Sequence, residues 1–209
     1  MKGIIHLMML AKGLLIGLSI AAPVGPIGIL CMKRTLTQGR RFGFVSGLGA
    51  ASADGMYGLI AAFGFGAVIA RIAALQTAAS ILGGLFLCFL GYRSFRSAAG
   101  ERSAEAGGSG SLAGAYGTTF LLTAANPVTI LSFLGIFAGL DVMDASLPGL
   151  LALVLGVFAG SAAWWLFLSI AVGAIRRTLN AGAMRGINRL SGLLLLGFGI
   201  YSVFDVMLF

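Results

Sequence analysis

Ala22-Pro23-Val24-Gly25-Pro26-Ile27-Gly28-Ile29-Leu30 lies inside a long apolar run, and Asn126-Pro127-Val128-Thr129-Ile130-Leu131 echoes it. Proline lacks a backbone donor and its ring clashes with the preceding turn, so an interior proline breaks or kinks a helix. At membrane depth each freed carbonyl needs another partner, which only protein or a water-filled cavity can supply. Two prolines three residues apart, with Gly25 between them and Gly28 after, therefore predict an opened helix. The alternative is a kink that serves packing alone. Interrupted helices at matching places in two halves of a chain point to a transport site.

The surrounding composition fits a membrane setting. Of 209 residues, 59% are hydrophobic and 10% charged, and the mean hydropathy is +1.03. That excludes an ordinary soluble domain. The net charge of +8 could suggest nucleic acid, but the basic residues sit in short clusters between apolar runs, which suits membrane orientation. The first apolar run extends from about Leu7 to Met32, too long for the core of a cleaved signal. Cys31 and Cys88 stand in separate runs with no CxxC, so neither a disulfide framework nor a metal site is expected, and both read as apolar fillers.

Six runs reach the ~20 residues a spanning helix needs. They are Leu10–Met32, Phe42–Ala70, Thr77–Phe95, Leu112–Leu140, Leu147–Ile175 and Leu190–Phe209. Lys33, Arg34, Arg40, Arg41, Arg93, Arg96, Arg102, Arg176, Arg177, Arg185 and Arg189 fall on one side, against Lys2, Lys12 and Arg71 on the other. The positive-inside rule puts the larger set in the cytoplasm and both termini outside. Ser97–Ser111 reads as a flexible linker between halves 1–96 and 112–209. With three helices per half, the second half enters the membrane from the opposite face, so any repeat is inverted. Gly25-Pro26-Ile27-Gly28-Ile29-Leu30 matches Asn126–Leu131 at an offset of 101 (126 minus 25). Gly47-x4-Ser52-Ala53 matches Gly156-x4-Ser161-Ala162 at 109 (156 minus 47). The expected fold is all-α: a polytopic membrane protein of two inverted three-helix repeats whose first and fourth helices are broken. Small-xxx-small pairs such as Gly13/Gly17, Gly43/Gly47, Gly135/Gly139 and Gly156/Gly160 predict close helix contacts.

Asp54 is the one acidic residue deep in an apolar run. It stands 12 residues after Phe42, ~18 Å along a helix and near the bilayer midplane. A central Asp costs ~3 kcal/mol on insertion scales. Its helical neighbours Gly47, Ala50, Ala51, Tyr57, Gly58 and Ala61 form a face that packs on protein. It reads as a proton-coupling or cation-binding carboxylate, the alternative being a helix–helix hydrogen bond with Tyr57 or opened backbone. At the breaks, half-helix N-termini favour a carboxylate and unwound carbonyls an ammonium, and an amino acid carries both. Asn126 can bind within the fourth-helix break or cap the half-helix that follows. Of Trp164 and Trp165, one is a candidate wall of the substrate path. His6 has no assigned role. No P-loop, HExxH or Ser/His/Asp set occurs, so the chain does not read as an enzyme and implies no cofactor.

Pro23-Val24-Gly25-Pro26, Lys33-Arg34-x5-Arg40-Arg41-x-Gly43, Gly47-x6-Asp54, Asn126-Pro127, and Gly156 and Ser161 with Trp164 occur in that order. Together they resemble the lysine exporter family (LysE/RhtB) of bacterial amino-acid exporters, over essentially the whole chain. The resemblance implies export of amino acids across the bacterial inner membrane by proton antiport, an inverted repeat and a homodimer. It carries the proline motif onto Pro23 and Pro26, the acid onto Asp54, and the Asn-Pro pair onto Asn126 and Pro127. The chain departs from the commoner Pro-Gly-Pro spellings at Val24-Gly25, which leaves the substrate open. Expected partners are an amino acid, protons and lipid, and not nucleic acid. The rival readings are a metal-cation exporter, a membrane thiol-disulfide electron carrier and a non-transporting scaffold. A single carboxylate without a His or Met cluster weighs against the first. Ser132 at the position matching Cys31 weighs against the second.

Overall fold

The computed structural model describes residues 2–23, 25–62, 66–96, 111–126, 129–130, 132–133, 136, 146–175 and 181–208. Within them the regular structure is helical: α1 (Lys2–Ala21), α2 (Pro26–Gln38), α3 (Arg40–Ala62), α4 (Gly66–Arg96), α5 (Leu112–Ala124), α6 (Leu147–Ile175) and α7 (Ala181–Leu208). Residues 129–130, 132–133 and 136 are also helical. Among the described residues, three stretches are long and apolar enough to cross a membrane: Gly3–Ala21, Leu147–Ile175 and Gly182–Phe204.

Polarity is distributed as a bilayer requires. On α6 the exposed side chains include Leu151, Leu155, Phe158, Leu166, Phe167 and Ile170, while Gly156, Gly160, Ser161 and Ser169 are buried. Leu155 is 62% exposed and Ser161 0%. Water would drive the large apolar groups inward, whereas hydrocarbon leaves them outside and sends small and polar groups to helix contacts.

Glycines set how the helices meet. A methyl group at Gly13 would collide with the Leu153 carbonyl, and one at Gly17 with the Val157 carbonyl. From the other helix, Gly156 faces the Leu10 carbonyl and Gly160 the Leu14 carbonyl. Helices α1 and α6 thus run side by side in the same direction at backbone contact. Helix α4 meets α7 in the opposite sense, Gly84 against Gly199 and Gly91 against Gly192. Helix α3 packs on both α5 and α6. The pairs Gly13/Gly17 and Gly156/Gly160 are packing residues, as their spacing predicts; Gly135 and Gly139 lie outside the described residues.

Both interruptions are present. Helix α1 stops at Ala21, Gly25 is extended at φ −104°, and Pro26 opens α2, where its missing N–H is no loss. Helix α5 stops at Ala124, with Ala125 as its cap. Each restart is made by the same hydrogen bond: Ile29 N–H donates to the Gly25 carbonyl at 3.1 Å, and Ile130 N–H to the Asn126 carbonyl at 3.2 Å. These are the positions paired by the offset of 101. Asn126 therefore caps the turn that follows it. Val24 and Pro127 lie outside the described residues, as does all of the expected linker except Ser111. Ser111 is the N-cap of α5, its Oγ accepting from Gly114 N–H at 3.1 Å.

Several boundaries differ from the sequence reading: α1 begins at Lys2 rather than Leu10, α3 ends at Ala62 rather than Ala70, and α7 begins at Ala181 rather than Leu190. Lys33 and Arg34 are not in a loop: α2 continues to Gln38 and turns into α3 through Gly39 alone, at φ 105°. Gly39 N–H closes the end on the Arg34 and Thr35 carbonyls. Burial of Arg34, which is 0% exposed, lets the helix run on. Its guanidinium donates to Ser46 Oγ (2.9 Å), the Ala115 carbonyl (2.9 Å), Thr119 Oγ1 (2.8 Å) and Thr118 Oγ1 (2.7 Å). One side chain so ties α2 to α3 and α5. Arg71 is likewise no loop residue, because α4 begins at Gly66. Arg71–Gln76 lowers hydropathy but contains good helix formers, so the helix does not stop there.

Two stability predictions follow from these contacts, each read by thermal unfolding in detergent. Gly17→Ala should destabilise by ~1–3 kcal/mol through overpacking, whereas Gly197→Ala, which meets nothing within 4 Å, should be neutral or stabilise by up to ~1 kcal/mol. Arg34→Lys should cost ~1–3 kcal/mol, because an ammonium cannot reproduce the planar fork that reaches four oxygens.

Candidate functional site

The two interruptions open into one cavity of about 420 Å³. Its wall includes the end of α1 (Ser19, Ile20, Ala21), Pro23, and the start of α2 (Gly25, Pro26, Ile27, Gly28). Opposite stand the last turn of α5 (Leu122, Thr123), Ala125, Asn126, and Thr129, Ser132 and Ile136 beyond it. Helix α3 supplies Ala50 and Asp54, and α6 supplies Trp165. Helices α4 and α7 close the remaining side with Gly83 and Leu87, and with Phe198, Tyr201 and Ser202.

Helix ends make this cavity polar without many polar side chains. The final carbonyls of a helix and its first N–H groups have no partners within it. Helix α1 presents its C-terminal end and α2 its N-terminal end, which has no side-chain cap. The first carries partial negative charge and the second partial positive charge. At the other break the Tyr57 hydroxyl donates to the Ala124 carbonyl, which satisfies one group in the last turn of α5. The Tyr57 ring packs on Phe133, with centroids 5.8 Å apart.

Asp54 is 3% exposed and belongs to the cavity wall. Its Oδ2 accepts from Ser161 Oγ at 2.7 Å, and Ser161 Oγ accepts from Trp165 Nε1 at 3.2 Å. Ser161 and Trp165 are four residues apart on α6 and so share a face. The carboxyl group is held across the α3–α6 contact by this short chain.

The structure brings together Pro23, Gly25, Pro26, Asp54 and Asn126 at one cavity, with Ser161 as the partner of Asp54 and Tyr57 as a support of the second break. Pro127 lies outside the described residues. Trp164 is not at the cavity: its ring packs on Phe167 at 5.6 Å, and its neighbour Trp165 lines the wall. A helix turns by about 100° per residue, so adjacent tryptophans cannot share a direction. The Ser161-x3-Trp165 spacing was the available signal. Thr123 and the α4–α7 wall escaped the sequence reading, because no local pattern marks which face of a helix turns to the breaks. Cys31 is buried in an apolar cluster and Cys88 packs beside Gly199. Among the described residues, no three His, Cys, Asp or Glu side chains cluster as a metal site would need.

Comparison with known proteins gives a consistent answer. Residues 18–205 match the family described as LysE type translocator. The chain is 27% identical over 192 residues to the "Putative amino acid efflux protein YcgF" of Bacillus subtilis (strain 168), covering 90% of this chain and 91% of that one. It is 26% identical over 183 residues to the "Uncharacterized membrane protein YrhP" of the same organism, covering 82% of this chain and 87% of that one. No solved structure matches it.

Proposed function

The chain belongs to the LysE type translocators, and on that premise we propose that it exports amino acids across the bacterial inner membrane in exchange for protons. A translocator moves its substrate without making or breaking bonds, so the chain is not an enzyme. YcgF, whose name attributes amino acid efflux to it, is similar along nearly all of both chains and supports the substrate class.

One observation carries the reading: both helix interruptions and the buried Asp54 line the same cavity. A zwitterion fits such a place. Its carboxylate goes to the N-terminal end of α2, and its ammonium group to Asp54 and the terminal carbonyls of α1. Ammonium and proton then compete for one carboxylate. From the cytoplasm the substrate binds ionised Asp54. Toward the outside a proton takes its place and the substrate leaves. Protonated Asp54 returns inward and releases its proton. Mutual exclusion at a single group is enough to couple the two fluxes.

The movement is a rocking of residues 1–96 against 112–209. Several features support two inverted, related halves in six spans. The breaks restart with the same hydrogen bond, α1 runs parallel to α6, and α4 runs antiparallel to α7. The packing of α1 on α6 has its counterpart in that of α5 on α3. Arg34, Arg40, Arg96 and Arg185 are all near the helix ends that this reading puts in the cytoplasm, which leaves both termini in the periplasm. A homodimer belongs to the same reading. The metal-exporter alternative has no cluster of ligands among the described residues to rest on.

Asp54→Asn keeps the shape and the hydrogen-bonding capacity of the side chain but cannot carry a proton. In inside-out vesicles with an acid interior, it should lower proton-driven amino-acid accumulation at least tenfold, with unchanged membrane insertion. Accumulation at the unaltered rate would remove Asp54 from the coupling step.

A further inference from the structure

We infer that the chain holds an anionic phospholipid at the cytoplasmic end of α2 and α4, with the lipid phosphate between Lys33 and Arg93 and an acyl chain on the exposed apolar face of α4. The site is separate from the cavity and does not depend on which molecule the cavity carries. It takes from the proposed function only the placing of these helix ends in the cytoplasm.

Lys33 is the starting point. It is 4% exposed, and its ammonium group has no hydrogen-bond or ion-pair partner among the described residues. The charges that act on it share its sign: Arg34, next to it in the chain, and Arg93 on α4. A buried cation among cations is strongly disfavoured unless an anion joins them. Arg34 does without one, because its guanidinium reaches four neutral oxygens. Lys33 has no such set. Nor is it sealed off: Arg34 Nε is enclosed without a partner, and Lys33 Nζ is not enclosed in that way.

Packing brings the two cations to one level. Leu30 on α2 and Leu90 on α4 belong to the same buried cluster. Lys33 and Arg93 each follow their leucine by three residues, about one helical turn, and so stand at the edge of that cluster. Helix α2 ends soon after, at Gln38, and α4 at Arg96. Both cations therefore lie at the depth where hydrocarbon gives way to headgroups. Arg93 offers a planar fork that matches phosphate oxygens, and Lys33 adds a point charge.

The surface beside them has the shape of a lipid. Leu82, Leu85, Phe89 and Tyr92 are exposed on α4 at spacings of three, four and three, so they form one face. The Arg93 guanidinium lies over the Phe89 ring at 5.6 Å. The Arg96 guanidinium lies over Tyr92 at 5.7 Å and donates to its hydroxyl at 2.8 Å. An apolar stripe ~15 Å long thus ends in aromatic rings and then in cations. That is the order of a phospholipid from chain to headgroup. A free inorganic anion would use the cations and leave the stripe bare, whereas a lipid uses both. Basic pockets between spanning helices on the cytoplasmic side suit anionic headgroups.

Titration of the full chain in dodecyl maltoside tests the site, with bound lipid counted by native mass spectrometry. The probes are dioleoylphosphatidylglycerol, which is anionic, and dioleoylphosphatidylcholine, which has the same chains and no net charge. Phosphatidylglycerol should bind at least tenfold more tightly, and an excess of inorganic phosphate should not displace it. Lys33→Gln and Arg93→Gln should each weaken its binding at least tenfold and leave phosphatidylcholine unaffected, and Lys33→Arg should keep it. Arg185→Gln, at an exposed position on α7, should change it less than twofold. Without lipid, Lys33→Gln should unfold at no lower temperature than the unaltered chain, since it removes an unopposed charge. Equal binding of the two lipids by the unaltered chain, a comparison that needs no variant to fold, would overturn the site. Equal losses in Lys33→Gln and Arg185→Gln would reduce it to a general attraction of the basic face. Displacement by inorganic phosphate would make it a site for free anions and overturn the lipid assignment. A lower unfolding temperature of lipid-free Lys33→Gln would mean that the charge has its partner within the chain, and would overturn the role of Lys33. Amino-acid export is unaffected by any of these results.

Discussion

A helix opened inside hydrocarbon exposes backbone groups that water cannot reach, and those groups must be satisfied by something. That constraint organises this protein. Pro23 and Pro26 rule out a continuous helix, and Asn126 begins a second restart. The freed ends are not scattered over the surface. They meet at one cavity, where Tyr57 takes up one carbonyl and the rest of the backbone polarity faces the space between α1, α2 and α5. The chemistry of the site is mainly main-chain chemistry, to which Asp54 adds a buried carboxyl group on the cavity wall.

The packing around the cavity serves the same end. Glycine contacts bring α1 and α6 together at backbone distance, which holds the first break beside the Asp54–Ser161–Trp165 chain. The Arg34 fork joins α2 to α3 and α5, about two turns beyond the break. A buried guanidinium bound only to neutral oxygens is an unusual tie. It fixes direction tightly because its donors are planar and several, yet each bond is to a hydroxyl or carbonyl that can find another partner. A span cut in two needs such a tie, since its second half has lost the helix that would otherwise hold it.

Much of this was legible in the sequence because proline and buried charge act locally. The breaks, the position of Asp54, the pairing at an offset of 101 and the glycine contacts could all be read from residue type and spacing. Ser161 was readable through its match to Ser52. What escaped depends on tertiary neighbours. Arg34 looked like an orienting loop charge, since nothing in its own helix reveals Ser46, Thr118 and Thr119 waiting to receive it. Trp165 and Trp164 are indistinguishable until the rotation of α6 is known. The α4–α7 wall is invisible for the same reason, because Leu87 and Phe198 resemble every other apolar residue of their runs. The start of α4 was misplaced because hydropathy dips at Arg71–Gln76 while helix propensity does not.

The central claim is that both interruptions face one substrate. Accessibility of single cysteines tests it directly, in a background with Cys31 and Cys88 changed to serine. Ser19→Cys reports on the first break, Ser132→Cys on the second, and Leu155→Cys on the lipid-facing side of α6. Each is treated with a water-soluble thiol reagent, with and without a transported amino acid. The account predicts that the first two react, and that the same amino acid slows both over the same concentration range while leaving Leu155→Cys unaffected. Protection at one break alone, or at neither while transport continues, would contradict it.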